Sequence, residues 1–428
     1  MSTPPNVVIV GAGFAGIYAA KGLGKAPVNV TVVDKHNHHL FQPMLYQVAT
    51  AGLSESDIAS PIRSVLRRQT NTQVLLAEVT EVRANEREIS LGDGSTLSYD
   101  YLILSAGARH SYFGHDDWEI LAPGLKSLED ADEIRRRVLL AFERAEREPD
   151  ATRRHAHLTF VVVGGGATGV EVAGALAEIR SYALRRDFRR IDPREATVML
   201  LEGGPRILPT YPPELSQRAK EQLRRLGVEV RESMLVTEVR PGFVSAAGWT
   251  IPTGTVVWAA GNVASPLLIS LNVPLDRQGR VLVEPDCTAP GHPEIFVLGD
   301  AAVYVQGEQT LPGIAPVAIQ MGQYAARTIQ GDLADRPRMH FTYWDKGQLA
   351  VIGRGRAVAD LGRFRFGGFF AWLIWIFVHI FFLIGFRNRL LVLFEWAWAY
   401  FTYERGARLI TGSWVPALQL PPSRPSDH

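Results

Sequence analysis

A single cysteine, Cys287, stands in a chain of 428 residues. One thiol excludes an internal disulfide, a redox-active cysteine pair, a paired-cysteine zinc site and a thiolate-held iron–sulfur cluster. Cys287 is therefore expected to pack as a small apolar residue. Net charge is just as scarce: 45 Lys and Arg against 44 Asp and Glu leave +1, a balance that does not point to nucleic acid. No signal peptide is read ahead of the first motif, which begins at Gly11, so folding in a reducing compartment is the expectation. Hydrophobic residues, at 46%, are plentiful enough for sizeable cores in two or three domains.

What the chain has instead is two glycine-rich loops. Gly11-Ala12-Gly13-Phe14-Ala15-Gly16 follows the β-branched run 6–10, and Gly164-Gly165-Gly166-Ala167-Thr168-Gly169 follows the run 159–163. Each loop then opens a helix-like stretch. In that context the glycines permit a tight turn and close backbone approach to a pyrophosphate seated on a helix N-terminus. The ribose of such a ligand calls for an acidic residue about 20 positions on, at the end of the second strand. Asp34 ends the run 30–33, and Glu202 ends the run 196–201 after a longer, charged interval that includes residues 185–190. Glu202 would accept a bond from a ribose 2′-hydroxyl and repel a 2′-phosphate, which favours NADH over NADPH. Two such units in one chain imply two bound dinucleotides and a hydride passed between them.

Other segments extend the pattern. The run 97–104 reads as a strand ending in the small-residue turn Ser105-Ala106-Gly107-Ala108, echoed by the run 256–261. Residues 128–150, rich in Glu and Arg at helical spacing, read as a solvated helix and linker. The run 294–298 ends in Gly299-Asp300, where an acidic side chain at a strand's carboxyl end suits a flavin hydroxyl. Near the C-terminus, residues 367–386 are apolar all round, with no charge but that of His379. Residues 390–403 are aromatic-rich, interrupted by Glu395 and bounded by Arg387, Arg389, Arg405 and Arg408. The first run has the length of a membrane span, about 20 residues. With the second it can instead form a hairpin inserted part-way into the interface.

These residues resemble the type II NADH dehydrogenases, the single-subunit, non-proton-pumping NADH:quinone oxidoreductases. The resemblance rests on residues 39–50 (HLFQPMLYQVAT), 164–171 (GGGATGVE), 299–301 (GDA) and 341–350 (FTYWDKGQLA), and runs on through 385–389 and 405–410. It implies an α/β fold of two Rossmann-like dinucleotide-binding domains with a C-terminal helical membrane-anchoring region. FAD would bind residues 1–120 and 265–335, NADH the inserted domain 121–264, and the membrane residues 336–428. Family members are typically monotopic, held on one leaflet, here the cytoplasmic face of the plasma membrane, and often form homodimers. A membrane quinone is then the acceptor. One position departs from the family's two-glutamine quinone motif: Pro316 stands where the first glutamine is expected, while Gln320 remains.

The resemblance also assigns roles. Gly11, Gly13, Gly16, Asp34, Ala108 and Asp300 would hold FAD, and Gly164, Gly166, Gly169 and Glu202 would hold NADH. Glu171, read as lying on the first turn after the second loop, would sit near the ring junction. Gln47 and Gln320 would offer amide donors to a quinone carbonyl or the flavin edge, and Lys346 would stabilise charge developing on either. Sulfide oxidation and disulfide reduction need cysteines that this chain lacks, and a ferredoxin partner calls for a basic docking face. A non-catalytic membrane flavoprotein that senses NADH or scaffolds is the alternative from another class.

Overall fold

The computed structural model describes residues 3–184, 187–384, 386–402 and 407–411. Arg185 and Arg186 of the charged interval, and Gly385, Tyr403 and Arg405 of the tail, lie outside the described residues. The chain divides into two compact units, one made of residues 1–40, 59–109 and 262–345, the other of 41–58, 110–261 and 346–428.

In the first unit six strands form one sheet, in the order Thr288–Ala289, His292–Val297, Tyr101–Leu104, Asn6–Val10, Asn29–Asp34 and Thr72–Leu76. All neighbours are parallel except the first pair. Val7 to Val10 are buried on both faces, which is why an unbroken β-branched run rather than an alternating one marks this strand. The helix Phe14–Leu23 covers the sheet and packs on the helix Ala315–Asp332. The two approach so closely that a Cβ on Gly322 would lie 2.2 Å from the Ala15 carbonyl oxygen. Pro316 is the second residue of that later helix, where the amide hydrogen it lacks would have had no intrahelical acceptor. Cys287 is fully buried in this unit and its thiol is pushed up by desolvation, as befits an apolar packing role.

The second unit carries a four-stranded parallel sheet, ordered Val228–Arg231, Thr197–Leu201, Thr159–Val163 and Thr255–Trp258. The stretch read as a solvated helix is the 20-residue helix Leu128–Arg147, closed at its start by a Ser127–Asp130 capping box. One of its faces is not solvated: Ala131, Ile134, Val138 and Phe142 are buried.

The tail of this unit forms a three-stranded antiparallel sheet, Gln348–Gly353, Arg356–Asp360 and Arg365–Gly367, followed by the helices Phe369–Phe382 and Phe386–Thr402. Ala357 and Ala359 pack with Ala371, Leu349, Phe366 and Trp372, seating the first helix on the sheet. The apolar run read as long enough to span stops after 14 helical residues, about 21 Å of rise, against the roughly 30 Å of a bilayer core. No helix among the described residues is long and apolar enough to cross a membrane. The helix is two-faced in position but not in chemistry. Ala371 and Trp375 are buried, while Phe370, Phe377 and Phe381 are 74%, 72% and 58% exposed.

Candidate functional site

Both phosphate loops close in the same way. The Gly11 amide donates to the Val33 carbonyl at 2.8 Å, and the Gly164 amide donates to the Leu201 carbonyl at 2.8 Å. A Cβ on Gly16 would lie 1.8 Å from the Gly11 carbonyl oxygen, and one on Gly169 would lie 1.8 Å from that of Gly164. Around a Cβ built on Gly13 or Gly166, by contrast, nothing lies within 4 Å. These middle glycines are helix N-caps with no side-chain capping bond, and neither helix has an acidic residue in its first turn. The first amide hydrogens of each helix thus face an open cradle with no side-chain acceptor, which fits a pyrophosphate.

The acidic residues stand where the ribose reading requires. Asp34 ends its strand with Oδ2 accepting the Ala12 amide at 2.6 Å and Oδ1 accepting the His36 amide at 2.7 Å. Glu202 follows its strand with Oε2 accepting the Gly165 amide at 2.6 Å and Oε1 accepting the Gly204 amide at 2.6 Å. Each carboxylate keeps lone pairs for a ligand hydroxyl after these bonds. Asp300 sits in a single turn, Gly299–Ala301, and a Cβ on Gly313 would come within 3.0 Å of its Oδ1. Ala108 begins a short strand directly after Gly107, whose φ of +67° makes the turn. The residues present therefore fit a dinucleotide at each of the two loops.

A third feature of the first loop escaped the sequence. His39 is 1% exposed, and its Nδ1 lies 2.9 Å from the Ala12 carbonyl oxygen. Since a carbonyl only accepts, Nδ1 carries the proton. Burial holds the ring neutral by lowering its pKa to about 4.

Gln47 and Glu171 line one cavity of the second unit, about 140 Å³, with Tyr46, Trp372, Trp375 and Trp396 among its walls. Glu171 is the fifth residue of the helix Ala167–Glu178. It belongs to the second turn, not the first, so the helix dipole, which fades beyond the first turn, does not account for it. Burial raises its carboxyl to about 8 against an opposing bond from the Val351 backbone. Gln47 is held from both ends: its Nε2 donates to Tyr46 Oη at 2.8 Å, and its Oε1 accepts from Trp396 Nε1 at 2.7 Å.

The other two residues assigned to chemistry do not line this cavity. Gln320, in the first unit, bonds the backbone of Trp344 twice, Nε2 to the carbonyl and Oε1 from the amide, both at 3.0 Å. Lys346 is exposed, its Nζ 5.9 Å from the centre of the Phe382 ring. The aromatic walls were missed as site residues. Residues 41–48 and the aromatic tail were each conspicuous, but nothing in the sequence says that they meet.

A family model described as pyridine nucleotide-disulphide oxidoreductase matches residues 5–322, and one described as the NDH2 C-terminal domain matches 345–403. The type II NADH:quinone oxidoreductase Ndh of Mycobacterium tuberculosis is 46% identical, over 95% of this chain and 91% of that protein. The internal alternative NAD(P)H-ubiquinone oxidoreductase A1 of Arabidopsis thaliana is 30% identical, over 92% of this chain and 83% of that protein. Among solved structures, NDH2 of Plasmodium falciparum in complex with NADH superposes with a TM-score of 0.85 at 20% identity, covering 95% of this chain and all of that one. That similarity shows the two-dinucleotide flavoprotein fold. With motifs, fold and relatives in agreement over nearly its whole length, the chain belongs to the type II NADH:quinone oxidoreductase family.

Proposed function

We propose that this protein oxidises NADH and delivers two electrons to a membrane quinone, without proton pumping. The observation that carries this reading is the cavity in which Gln47 and Glu171 meet the tryptophans of the two tail helices. A polar pair in an aromatic enclosure suits a planar, apolar acceptor that must gain protons. When bound, FAD supplies the two-electron chemistry between nicotinamide and acceptor. Residues 1–120 and 265–335 are assigned to it, with Gly11, Gly13, Gly16, Asp34, Ala108 and Asp300 as its holders. Residues 121–264 are assigned to NADH, held by Gly164, Gly166, Gly169 and Glu202.

The chain's own groups position the ligands and move the protons. Glu171, raised to about 8 by burial, keeps a proton at neutral pH and donates it from its carboxyl oxygen to an acceptor gaining negative charge. Gln47 retains one amide hydrogen beyond its bond to Tyr46 and orients a carbonyl with it. Gln320 keeps one amide hydrogen beyond its bond to the Trp344 carbonyl and offers it to a quinone carbonyl or the flavin edge, and Lys346 contributes a positive charge. The exposed Phe370, Phe377 and Phe381 support attachment of residues 336–428 to one leaflet; the cytoplasmic face is what the family resemblance implies.

The test is NADH-driven reduction of a short-chain quinone by the FAD-loaded protein, with NADPH in parallel. Quinone-dependent oxidation of NADH, much slower with NADPH, is expected. Flavin bleached by NADH that passes electrons to no quinone would instead favour the sensor or scaffold.

A further inference from the structure

The Trp375 indole is 2% exposed, and among the described residues its Nε1–H has no hydrogen-bond partner. A buried donor left unmatched costs its full desolvation, and buried donors are rarely left so. The ring cannot turn to find an acceptor. Its face stacks on His379 at 4.0 Å between centroids and 25° between planes, with Trp396 at 5.3 Å and Tyr46 at 6.4 Å around it. The backbone is fixed as well, because His379 Nδ1 donates to the Trp375 carbonyl at 2.7 Å. Trp375 also lines the cavity that holds Gln47 and Glu171. The second tryptophan of this cluster is in the opposite state: the Trp396 Nε1–H is already committed to Gln47 Oε1.

We infer that the Trp375 Nε1–H is the hydrogen-bond donor for one carbonyl oxygen of the quinone, making Trp375 a residue that recognises the acceptor. The inference rests on the quinone-reductase reading above and names a contact that the reading leaves open. Three features of the cavity bear on the kind of ligand. Its walls are flat aromatic faces, which suit a planar ring. Among the described residues lining the cavity, the Trp375 indole N–H has no partner and Gln47 keeps one amide hydrogen beyond its bond to Tyr46. Donors call for acceptor oxygens, and a quinone presents two. An indole also cannot be deprotonated by the reaction, so it binds the oxygen throughout and leaves proton delivery to Glu171. Its bond strengthens as negative charge collects on that oxygen. Loss of the donor should therefore lower kcat as well as raise KM.

The test uses the full-length, FAD-loaded protein in lipid nanodiscs, with duroquinone as acceptor and ferricyanide, which has no carbonyl, as the control. Trp375→Phe keeps a ring in the stack and removes the donor. It should lower the ratio of duroquinone to ferricyanide rates by about tenfold, the worth of one hydrogen bond. An unchanged ratio overturns the inference. A second measurement does not depend on the variant being well folded. In wild-type protein carrying ¹⁵N-indole tryptophan and no NADH, duroquinone should move the Trp375 indole resonance downfield and leave that of Trp396 nearly in place. No movement at Trp375 overturns the assignment even if quinone is turned over. Should wild-type protein oxidise NADH with ferricyanide but never reduce duroquinone, the quinone-reductase reading itself falls, and this contact with it.

Discussion

The two phosphate loops are near copies in their backbone and differ in how each is braced. In both, a first glycine bonds back to the neighbouring strand, a Cβ on the third would lie 1.8 Å from the first glycine's carbonyl oxygen, and a carboxylate grips the amide after the first glycine at 2.6 Å. The brace on the next carbonyl is not shared. The Ala12 carbonyl takes its bond from the buried His39 side chain, whereas the Gly165 carbonyl takes it from the Leu208 backbone amide at 2.7 Å. Position 18 of the first helix is a tyrosine, and its counterpart on the second is Glu171, raised by burial. The shared parts are what any dinucleotide needs. The unshared parts are a buried histidine that braces the first loop and a buried carboxyl two residues beyond the last glycine of the second.

The largest effects should come from breaking what the loops share. Gly16→Ala and Gly169→Ala each drive a methyl into backbone that has no room to move. Overpacking of that kind costs about 3 kcal/mol or more, beyond ~100-fold in binding. Gly16→Ala should empty the protein of flavin, read by absorbance per chain. Gly169→Ala should keep its flavin and lose NADH binding, read by titration. If both variants lost flavin equally, the division of labour between the loops would be wrong.

Removing the carboxylates separates the ligands more gently. Glu202→Ala should weaken NADH about 10- to 100-fold, as expected for charge-assisted bonds, with flavin content normal and the preference over NADPH narrowed. Asp34→Ala should do the reverse, lowering flavin retention and sparing the affinity for NADH of whatever holoenzyme remains. An unchanged NADH affinity in Glu202→Ala removes that residue from the site.

Glu171 sharpens the contrast through pH. Its folded-state pKa of about 8 lies above the ordinary 4.5, so between those values the folded chain holds a proton that the unfolded chain has released. Its contribution to stability is thus full below about 4.5 and is lost as pH rises to about 8. Melting curves should show wild-type Tm falling across that window by more than Glu171→Gln does. Tyr18→Phe, at the matching place on the first helix, should leave the slope of wild type. Equal slopes in wild type and Glu171→Gln would mean that the carboxyl is not held protonated.

How far the sequence could be read follows the same division. The glycines, Asp34, Glu202 and the buried valine runs are local patterns, because a phosphate loop is built from consecutive residues, and all were legible. Glu171 was visible as a candidate but misplaced by a turn, since the start of its helix depends on where Gly166 caps it. Contacts made across the chain left no trace. Trp396 reaches Gln47 over 349 positions, and Gln320 ties one amide hydrogen and its oxygen to the Trp344 backbone. Lys346, conspicuous in its Asp-Lys-Gly setting, lies outside the cavity. The apolar tail showed its composition but not that its first helix ends after 14 residues, because period and hydropathy do not show where a helix of aromatic residues stops.

His39 gives the smallest and most particular test, since it is the brace that the second loop lacks. Its pKa of about 4 lies below the ordinary 6.5, so between those values the unfolded chain binds a proton that the folded chain refuses. The stability it contributes is therefore lost as pH falls from about 6.5 to 4. His39→Asn keeps an N–H able to reach the Ala12 carbonyl and cannot take up a proton. At neutral pH it should weaken flavin retention only about three- to tenfold, on the scale of one neutral hydrogen bond. At pH 5 the difference should shrink, because wild type alone carries the acid penalty. NADH affinity, which depends on a loop braced by a backbone amide, should not change in the variant at either pH. Flavin retention that falls with acid equally in wild type and His39→Asn would assign the acid sensitivity to another group and reduce His39 to packing.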